Sequence, residues 1–449
     1  MQARPSLKSY MRILWLKTEL LHPLDKGGKI RTYNMLKQLK QDHHVTYLTL
    51  DDGSASADDR SRALEYCHDL VCIKHSRREK FTPGFYFELL LNLVSSQPYA
   101  IRKYQAPAMW REIVERERSK SFDVLICDFL APAANVPETL ATPALLFQHN
   151  VEAMIWKRHY ETQTDPVKKA YLYGQWRKML KFERQMCRRF DCVIAVSADD
   201  REQMKREYGA ETVFDVPTGV DTDFFRPSGE AQASAHNIVF TGSMDWLPND
   251  EAIRYFRREI MPLIKKKVPD ATLTVVGRNP TPALMELAKT DPSLIVTGRV
   301  DDVRPYIENS AAYIVPLRIG GGTRLKIFEA MAMEKAVVST TIGAEGLPLT
   351  DGVELLLADE PAAFADAAVH LLTDKPYATE LGQRAAAIVR KNYSWRQVTE
   401  KFISICLESA KSASPAVADG SEINREGSLK STIPIADPPV TASGTELIH

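Results

Sequence analysis

The chain has 449 residues, which is more than one hydrophobic core usually supports and therefore predicts two or three domains. Basic and acidic residues number 58 each, so the formal net charge of zero excludes a general attraction to nucleic acid. No apolar run approaches the ~18 residues that span a bilayer, and the first residues lack the apolar core of a signal peptide, so we expect a cytoplasmic protein.

Strands and helices alternate along the N-terminal half. A strand is predicted over Met11–Lys17, a helix over Ile30–Lys40 and a second strand over His44–Leu50. This βαβ order predicts parallel strands joined by a right-handed crossover. A long, basic, amphipathic helix is predicted over Tyr171–Phe190. The further predicted strands are Leu70–His75, Phe122–Asp128, Thr142–Gln148 and Asp191–Ser197.

A second alternating series follows a linker predicted over Asp215–Pro227. Helices are predicted over Asp250–Lys267 and Thr323–Met333, and a last amphipathic helix over Trp395–Leu407. The predicted strands are Asn237–Ser243, Ala271–Gly277, Leu294–Arg299, Ala311–Leu317, Lys335–Thr340 and Val353–Ala358.

The predicted fold class is therefore α/β, with two successive Rossmann-like, doubly wound domains. We expect a polar leader over residues 1–10, an N-terminal domain over 11–217 and a C-terminal domain over 218–395. Residues 396–411 would form a final helix that packs back on the N-terminal domain. Residues 412–449 are rich in Ser, Ala, Pro and Asp and predict a disordered tail.

A glycine-rich segment, GGGTR, joins a predicted strand to a predicted helix. Its glycines let the backbone approach a ligand closely, and the N–H groups of a helix N-terminus attract phosphate. Arg324 and Lys326 lie in the first turn, where the helix dipole disfavours cations unless an anion offsets them. The segment predicts a phosphate site, and a glycine turn before a solvated basic helix is the structural alternative.

Residues 314–340 resemble the donor-binding signature of glycosyltransferase family 4, which reads roughly K-x-x-E-A-M-A-x-G-x-P-V-V. Lys326 and Glu329 match it, whereas Glu334 and Ala336 replace its glycine and proline. Gly321 stands where the family often has a first glutamate. The resemblance implies the GT-B fold, in which two Rossmann-like domains face a central cleft.

The resemblance also assigns roles around the donor. Glu329 would bind the ribose hydroxyls, and Lys326, together with Arg324, would neutralise the diphosphate. Gly321, Gly322 and Thr323 would contribute backbone contacts to the donor.

The segment GSMDWLPN resembles a second donor-binding element of a subgroup of the family. It makes Gly242, Ser243, Asp245 and Asn249 candidate donor-binding residues. Helix capping is the structural alternative for Asp245 and Asn249. By the same resemblance, the backbone of Val300 would contact the nucleobase.

The N-terminal half supplies the remaining candidates. Gly27 and Gly28 follow the first strand and could form a backbone nest for phosphate or sugar. His149 follows a predicted strand end, where ligands bind in open α/β sheets, and the resemblance places a histidine near the sugar. Asp128 ends another strand and would either line the acceptor cleft or cap a helix.

The resemblance predicts transfer of a sugar from a UDP-, GDP- or ADP-sugar to a glycan or polyprenyl-lipid-linked acceptor, with retention of anomeric configuration, in cell-surface or exopolysaccharide synthesis. His149, Arg324 and Lys326 would be its catalytic residues. The alternatives are a sugar-nucleotide epimerase of GT-B shape and a non-catalytic protein that binds sugar nucleotides. The cysteine spacings do not fit a zinc site, and we expect neither a metal nor another cofactor.

The segment Phe81–Val94 is strongly apolar and follows Arg77, Arg78 and Lys80. We expect it to form a helix buried in the N-terminal domain. Peripheral contact with the inner face of the membrane is the alternative, because basic and apolar residues together favour a lipid surface.

Overall fold

The computed structural model describes residues 10–24, 27–76, 78–79, 81–229, 234, 236–319 and 325–413. The candidates Gly321, Gly322, Thr323 and Arg324 lie outside the described residues. Nearly all of the predicted leader and tail also lie outside them.

The N-terminal half contains a seven-stranded parallel sheet. Its strands are β1 (Arg12–Lys17), β2 (His44–Asp51), β3 (Asp69–Lys74), β4 (Val124–Asp128), β5 (Ala144–Phe147), β6 (Cys192–Ala195) and β7 (Val213–Asp215). They lie in the order β3-β2-β1-β4-β5-β6-β7. Leu14 in β1 pairs with Thr46 on one side and with Leu125 on the other, so β1 and β4 meet at the point where the strand order reverses.

The C-terminal half repeats this arrangement with a six-stranded parallel sheet. Its strands are β8 (Asn237–Thr241), β9 (Thr272–Val276), β10 (Leu294–Gly298), β11 (Ala312–Val315), β12 (Val337–Ser339) and β13 (Leu356–Leu357). The order β10-β9-β8-β11-β12-β13 places its reversal point between β8 and β11. Both halves therefore have the doubly wound topology that the alternating pattern predicts.

Helices cover both sheets. In the N-terminal half they are α1 (Gly27–Asp42), α2 (Ala57–Ser61), α3 (Pro83–Leu93), α4 (Tyr99–Arg102), α5 (Pro107–Arg118), α6 (Glu152–Thr162), α7 (Pro166–Arg189) and α8 (Ala198–Tyr208). In the C-terminal half they are α9 (Leu247–Tyr255), α10 (Met261–Lys267), α11 (Pro282–Thr290), α12 (Arg304–Glu308), α13 (Leu325–Ala332), α14 (Pro361–Thr373), α15 (Lys375–Asn392) and α16 (Trp395–Ala413). A π-helical turn, Phe256–Ile260, joins α9 to α10 within the helix predicted over 250–267.

The continuous apolar runs that predicted the strands come from burial on both faces. In β4, Leu125 and Cys127 face one hydrophobic layer, and Val124 and Ile126 face the other. All four side chains are fully buried. A sheet with only one covered face would instead favour alternation of apolar and polar residues.

The predicted linker needs one correction, because its first residue, Asp215, belongs to β7. This strand has only three residues and lies at the edge of the sheet, so its sequence carries little apolar pattern. After the strand, the Val220 backbone N–H donates to the Tyr393 carbonyl oxygen at 2.8 Å. From there α16 returns to the N-terminal sheet, where Trp395 and Phe402 join the core around β1.

The expectation of a buried helix at Phe81–Val94 is wrong. The segment forms α3, but Asn92 is its one buried residue. Large apolar side chains such as Phe87 and Leu90 are exposed instead. On the side of the helix that faces the domain, Arg78 and Tyr99 hold the Glu88 carboxylate, and Phe85 packs against the Tyr99 ring. Apolar composition alone could not reveal that most of these side chains are exposed.

Candidate active site

A buried polar cluster occupies the reversal point of the N-terminal sheet, at the carboxyl ends of β1 and β4. The Lys17 ammonium lies 2.6 Å from Asp128 Oδ2, and the Trp15 indole N–H donates to the same oxygen at 3.1 Å. The Thr32 hydroxyl, on α1, also donates to this oxygen at 2.6 Å. These contacts exclude the helix-capping role for Asp128. The Asp128 side chain is completely buried, so it could act on an acceptor only through neighbouring side chains.

His149 joins this cluster from the loop after β5. Its Nε2 lies 2.7 Å from Asp128 Oδ1, and its ring stacks on Phe129 with the centroids 3.9 Å apart. Burial lowers the pKa of His149 to about 4, although Asp128 acts in the opposite direction. Burial would raise the pKa of Asp128, but Lys17 and His149 outweigh it and lower that pKa. The site therefore holds a neutral imidazole beside an ionised carboxylate at neutral pH.

Glu183, which the sequence did not single out, fixes the loop that carries His149. From α7, its carboxyl group, whose pKa burial raises to about 8, accepts from the backbone N–H groups of Glu152 and Ala153 at 2.8 and 2.9 Å. It also accepts from the side-chain amide of Gln148 at 3.1 Å. Glu183 thus accepts hydrogen bonds from two backbone N–H groups at the N-terminus of α6 that have no partner within the helix. It also holds the histidine loop on both sides of His149, through Gln148 before it and through Glu152 and Ala153 after it. Glu183 lies within a long basic helix, and the surrounding sequence does not indicate this role.

The two glycines at the start of α1 have different surroundings. A Cβ on Gly28 would lie 2.7 Å from Cζ of the Phe129 ring, whereas a Cβ on Gly27 would meet nothing within 4 Å. Gly28 therefore makes room for the ring on which His149 stacks. Gly27 lies at the open end of the helix, where the proposed backbone nest would be.

A second group of candidates converges at the reversal point of the C-terminal sheet. Lys326, in the first turn of α13, donates to Asn249 Oδ1 at 2.9 Å, and its ammonium lies 4.1 Å from the centroid of the Phe240 ring. The Asn249 amide donates to the Ser243 carbonyl at 2.8 Å. A Cβ on Gly242 would lie 2.7 Å from Lys326 Nζ, so a side chain here would displace the ammonium.

The loops after β8 and β9 are linked by a hydrogen-bonded cluster. Ser243 and Asp245 bond to each other, and the Arg278 guanidinium donates to the Ser243 hydroxyl at 2.9 Å. Asn279 donates to Asp245 Oδ2 at 2.9 Å. Arg278 is the cation in this loop that the sequence analysis missed, because 35 positions separate it from Ser243.

The capping alternative for Asp245 and Asn249 is wrong. The N-cap of α9 is Trp246, without a side-chain cap, and Asn249 lies inside the helix. Both side chains bond to loops that surround the start of α13. Their side chains therefore hold the loops after β8 and β9 and do not cap the helix.

Glu329 lies one turn after Lys326 on α13. Burial raises the pKa of Glu329 to about 7, although the charge of Lys326 lowers it. Val300 follows β10 and packs against the apolar layer beneath α13, together with Ile327 and Phe328. In each half, the described candidates lie at the carboxyl ends of the strands. At the C-terminal sheet they are Gly242, Ser243, Asp245, Asn249, Val300, Lys326 and Glu329. At the N-terminal sheet they are Gly27, Gly28, Asp128 and His149.

Two doubly wound parallel sheets, each with polar side chains at its reversal point, define the architecture of a GT-B glycosyltransferase. Residues 26–224 match the sequence model of Glycosyltransferase Family 4, and residues 235–374 match that of Glycosyl transferases group 1. Since these segments together span about three quarters of the sequence, the chain belongs to the family 4 glycosyltransferases.

Individual relatives are distant. A Klebsiella pneumoniae protein described as an uncharacterized 44.6 kDa protein in the cps region is 20% identical over 404 residues, which cover 86% of this chain and 97% of that protein. A sucrose-phosphate synthase from Thermosynechococcus elongatus has a TM-score of 0.62 at 15% identity, covering 89% of this chain and 99% of that one. Anabaena HepE in complex with UDP and glucose has a TM-score of 0.58 at 12% identity, covering 88% and 99%. These similar structures share the fold.

Proposed function

We propose that the chain transfers a sugar from a UDP-sugar to a glycan or polyprenyl-lipid-linked acceptor, with retention of anomeric configuration. The observation that carries this proposal is the convergence of Lys326, Asn249 and Gly242 at the start of α13. An ammonium beside a glycine suits a diphosphate that lies against the backbone, because glycine lets a ligand approach the chain closely.

The proposed reaction is a front-face displacement. The bond between the anomeric carbon and the diphosphate oxygen breaks, and the acceptor oxygen bonds to that carbon on the same face. The acceptor proton passes to the departing phosphate oxygen. Lys326 would stabilise the departing charge, with Arg278 and, by family resemblance, Arg324 as further cations.

His149 would position the sugar in this reaction. Because burial keeps its pKa at about 4, the imidazole is neutral at pH 7 and can hydrogen-bond a sugar hydroxyl without carrying charge. Asp128 and Glu183 would act through it, the first by contact with the ring and the second by holding its loop. Fixed geometry of this kind lowers the barrier by orienting the reactants.

Two comparisons support the choice of substrates. HepE, which shares the fold, is known in complex with UDP and glucose, and this favours uridine among the three bases predicted from the sequence. The Klebsiella relative comes from a cps region, which supports a setting in cell-surface polysaccharide synthesis. A lipid-linked acceptor would bring the protein to a membrane surface as a peripheral enzyme.

Calorimetry with UDP, GDP and ADP tests the donor site. Wild type should bind UDP, and Lys326→Ala should bind it roughly 10- to 150-fold more weakly, which is the usual contribution of a charge-assisted hydrogen bond. Lys266→Ala, which removes an exposed cation of α10, is the matched control and should bind UDP normally. If no diphosphate binds wild type, or both variants behave alike, the donor site is wrong.

Retention requires its own measurement. Once a UDP-sugar and an acceptor give product, NMR of the anomeric proton reports whether the configuration of the donor has been kept. An inverted product would exclude front-face displacement while leaving the donor site intact. Interconversion of UDP-sugars without an acceptor would instead support the epimerase.

A further inference from the structure

Helix α3 exposes most of its large apolar side chains, while its inward side carries Phe85 together with the polar Glu88 and Asn92. Five large apolar side chains are between 45% and 62% exposed, and Val94, which follows the helix, is 90% exposed. Leaving this much apolar surface in water is unfavourable. Contiguous exposed apolar patches usually mark a surface that another apolar body covers. The five are Tyr86, Phe87, Leu90, Leu91 and Leu93.

The domain holds this orientation firmly. Asn92, the buried residue of α3, accepts from the Gln175 amide of α7 at 2.8 Å, and its own amide donates to the Gln97 carbonyl at 3.0 Å. The Lys178 ammonium donates to the carbonyl oxygens of Asn92 and Leu93 at 2.6 and 3.1 Å and so caps the helix C-terminus. Turning the apolar side inward would break all these contacts.

A row of cations runs along α7 beside the end of α3. Arg177, Lys181, Arg184 and Arg188 follow one another at helical spacing and line an open groove of about 830 Å³. Ser96, which follows α3 in the chain, lines the same groove. Arg177 and Lys181 are exposed. Arg184 lies over the Tyr208 ring, and Arg188 donates to the Tyr208 carbonyl oxygen at 2.8 Å. Lys178, which caps the end of α3, also lines this groove, so the cationic groove adjoins the C-terminal end of the apolar helix.

We infer that α3 and the cationic row of α7 form a docking face for an anionic lipid bilayer. An amphipathic helix with its apolar side in the acyl boundary and cations at the level of anionic headgroups is the arrangement that holds a protein in the membrane interface. None of the described helices has the length and apolar character of a bilayer-spanning segment, so this contact would be peripheral. The inference does not depend on the proposed reaction.

Vesicle sedimentation tests this inference directly. Wild-type protein is mixed with vesicles of phosphatidylcholine alone or of phosphatidylcholine with phosphatidylglycerol. Phe87→Glu/Leu90→Glu alters the apolar part of the face. Arg177→Glu/Lys181→Glu reverses two exposed cations of the groove. The matched controls are Leu64→Glu, an exposed leucine elsewhere in the N-terminal half, and Lys266→Glu on α10. Thermal unfolding checks that every variant is folded.

Wild type and both controls should sediment with the phosphatidylglycerol vesicles, and binding should weaken as salt is raised. Each cation near an anionic surface contributes about fivefold in affinity, so the double reversal should weaken binding by at least roughly 25-fold. The Phe87/Leu90 variant should bind at least about tenfold more weakly. The inference would be overturned if all proteins bound equally, if binding did not depend on phosphatidylglycerol, or if wild type did not bind.

Discussion

Glu329 should make nucleotide binding depend on pH near neutrality. Burial raises the pKa of this carboxyl group to about 7. About a tenth of the molecules would then carry the ionised form at pH 6, and about nine tenths at pH 8. A carboxylate accepts hydrogen bonds from both ribose hydroxyls more strongly than the protonated acid does. UDP should therefore bind the ionised form preferentially, and its affinity should rise as the pH rises.

If binding requires the ionised form, the affinity should increase about tenfold between pH 6 and pH 8, or by about 1.4 kcal/mol. Calorimetry of UDP at several pH values measures this increase. Glu329→Gln is the control, because it keeps the shape of the side chain but cannot ionise, and it shows how the ionisation of UDP itself affects binding. Parallel pH curves for the two proteins would refute the role of Glu329.

Four further variants, one of them a control, probe the rest of the site. Gly28→Ala should displace Phe129, whose ring lies 2.7 Å from the new Cβ, and should lower turnover. Gly27→Ala is the control, because its Cβ meets nothing within 4 Å, and it should leave stability unchanged. Kinetics and thermal unfolding compare the two variants. Glu183→Ala leaves two backbone N–H groups without an acceptor and should cost about 3 kcal/mol of stability in denaturant unfolding, with a larger fall in kcat than rise in KM. Lys17→Met leaves a buried carboxylate unpaired and should lower the unfolding free energy by about 3 to 5 kcal/mol; a change below 1 kcal/mol would contradict the buried ion pair.

The fold could be predicted from local patterns because strands buried on both faces are continuous apolar runs. All the predicted strands of both halves are present, with bounds that differ by a few residues. The short edge strand β7 escaped prediction, since three residues carry too little periodicity. The exposure of α3 was not predicted either, because hydropathy reports the composition of a segment and not the direction of its side chains.

The candidate site was predicted only in part. The positions near α13 follow from a motif that is contiguous in sequence. Arg278 and Glu183 reach the site from other elements, and their partners lie about 30 or more positions away. Local sequence patterns cannot predict such contacts, because the contacts form only when the folded sheet brings distant loops together.

The buried pair of Lys17 and Asp128 is best understood through the imidazole beside it. Removing two charges from water is costly, and apolar residues of similar volume often stabilise a core equally well. A need for stability alone therefore does not explain an ion pair at the reversal point of the sheet. Lys17 keeps Asp128 ionised, and Asp128 in turn lies 2.7 Å from His149 Nε2. We infer that the pair orients the His149 ring, so variants of Lys17 should affect catalysis as well as stability.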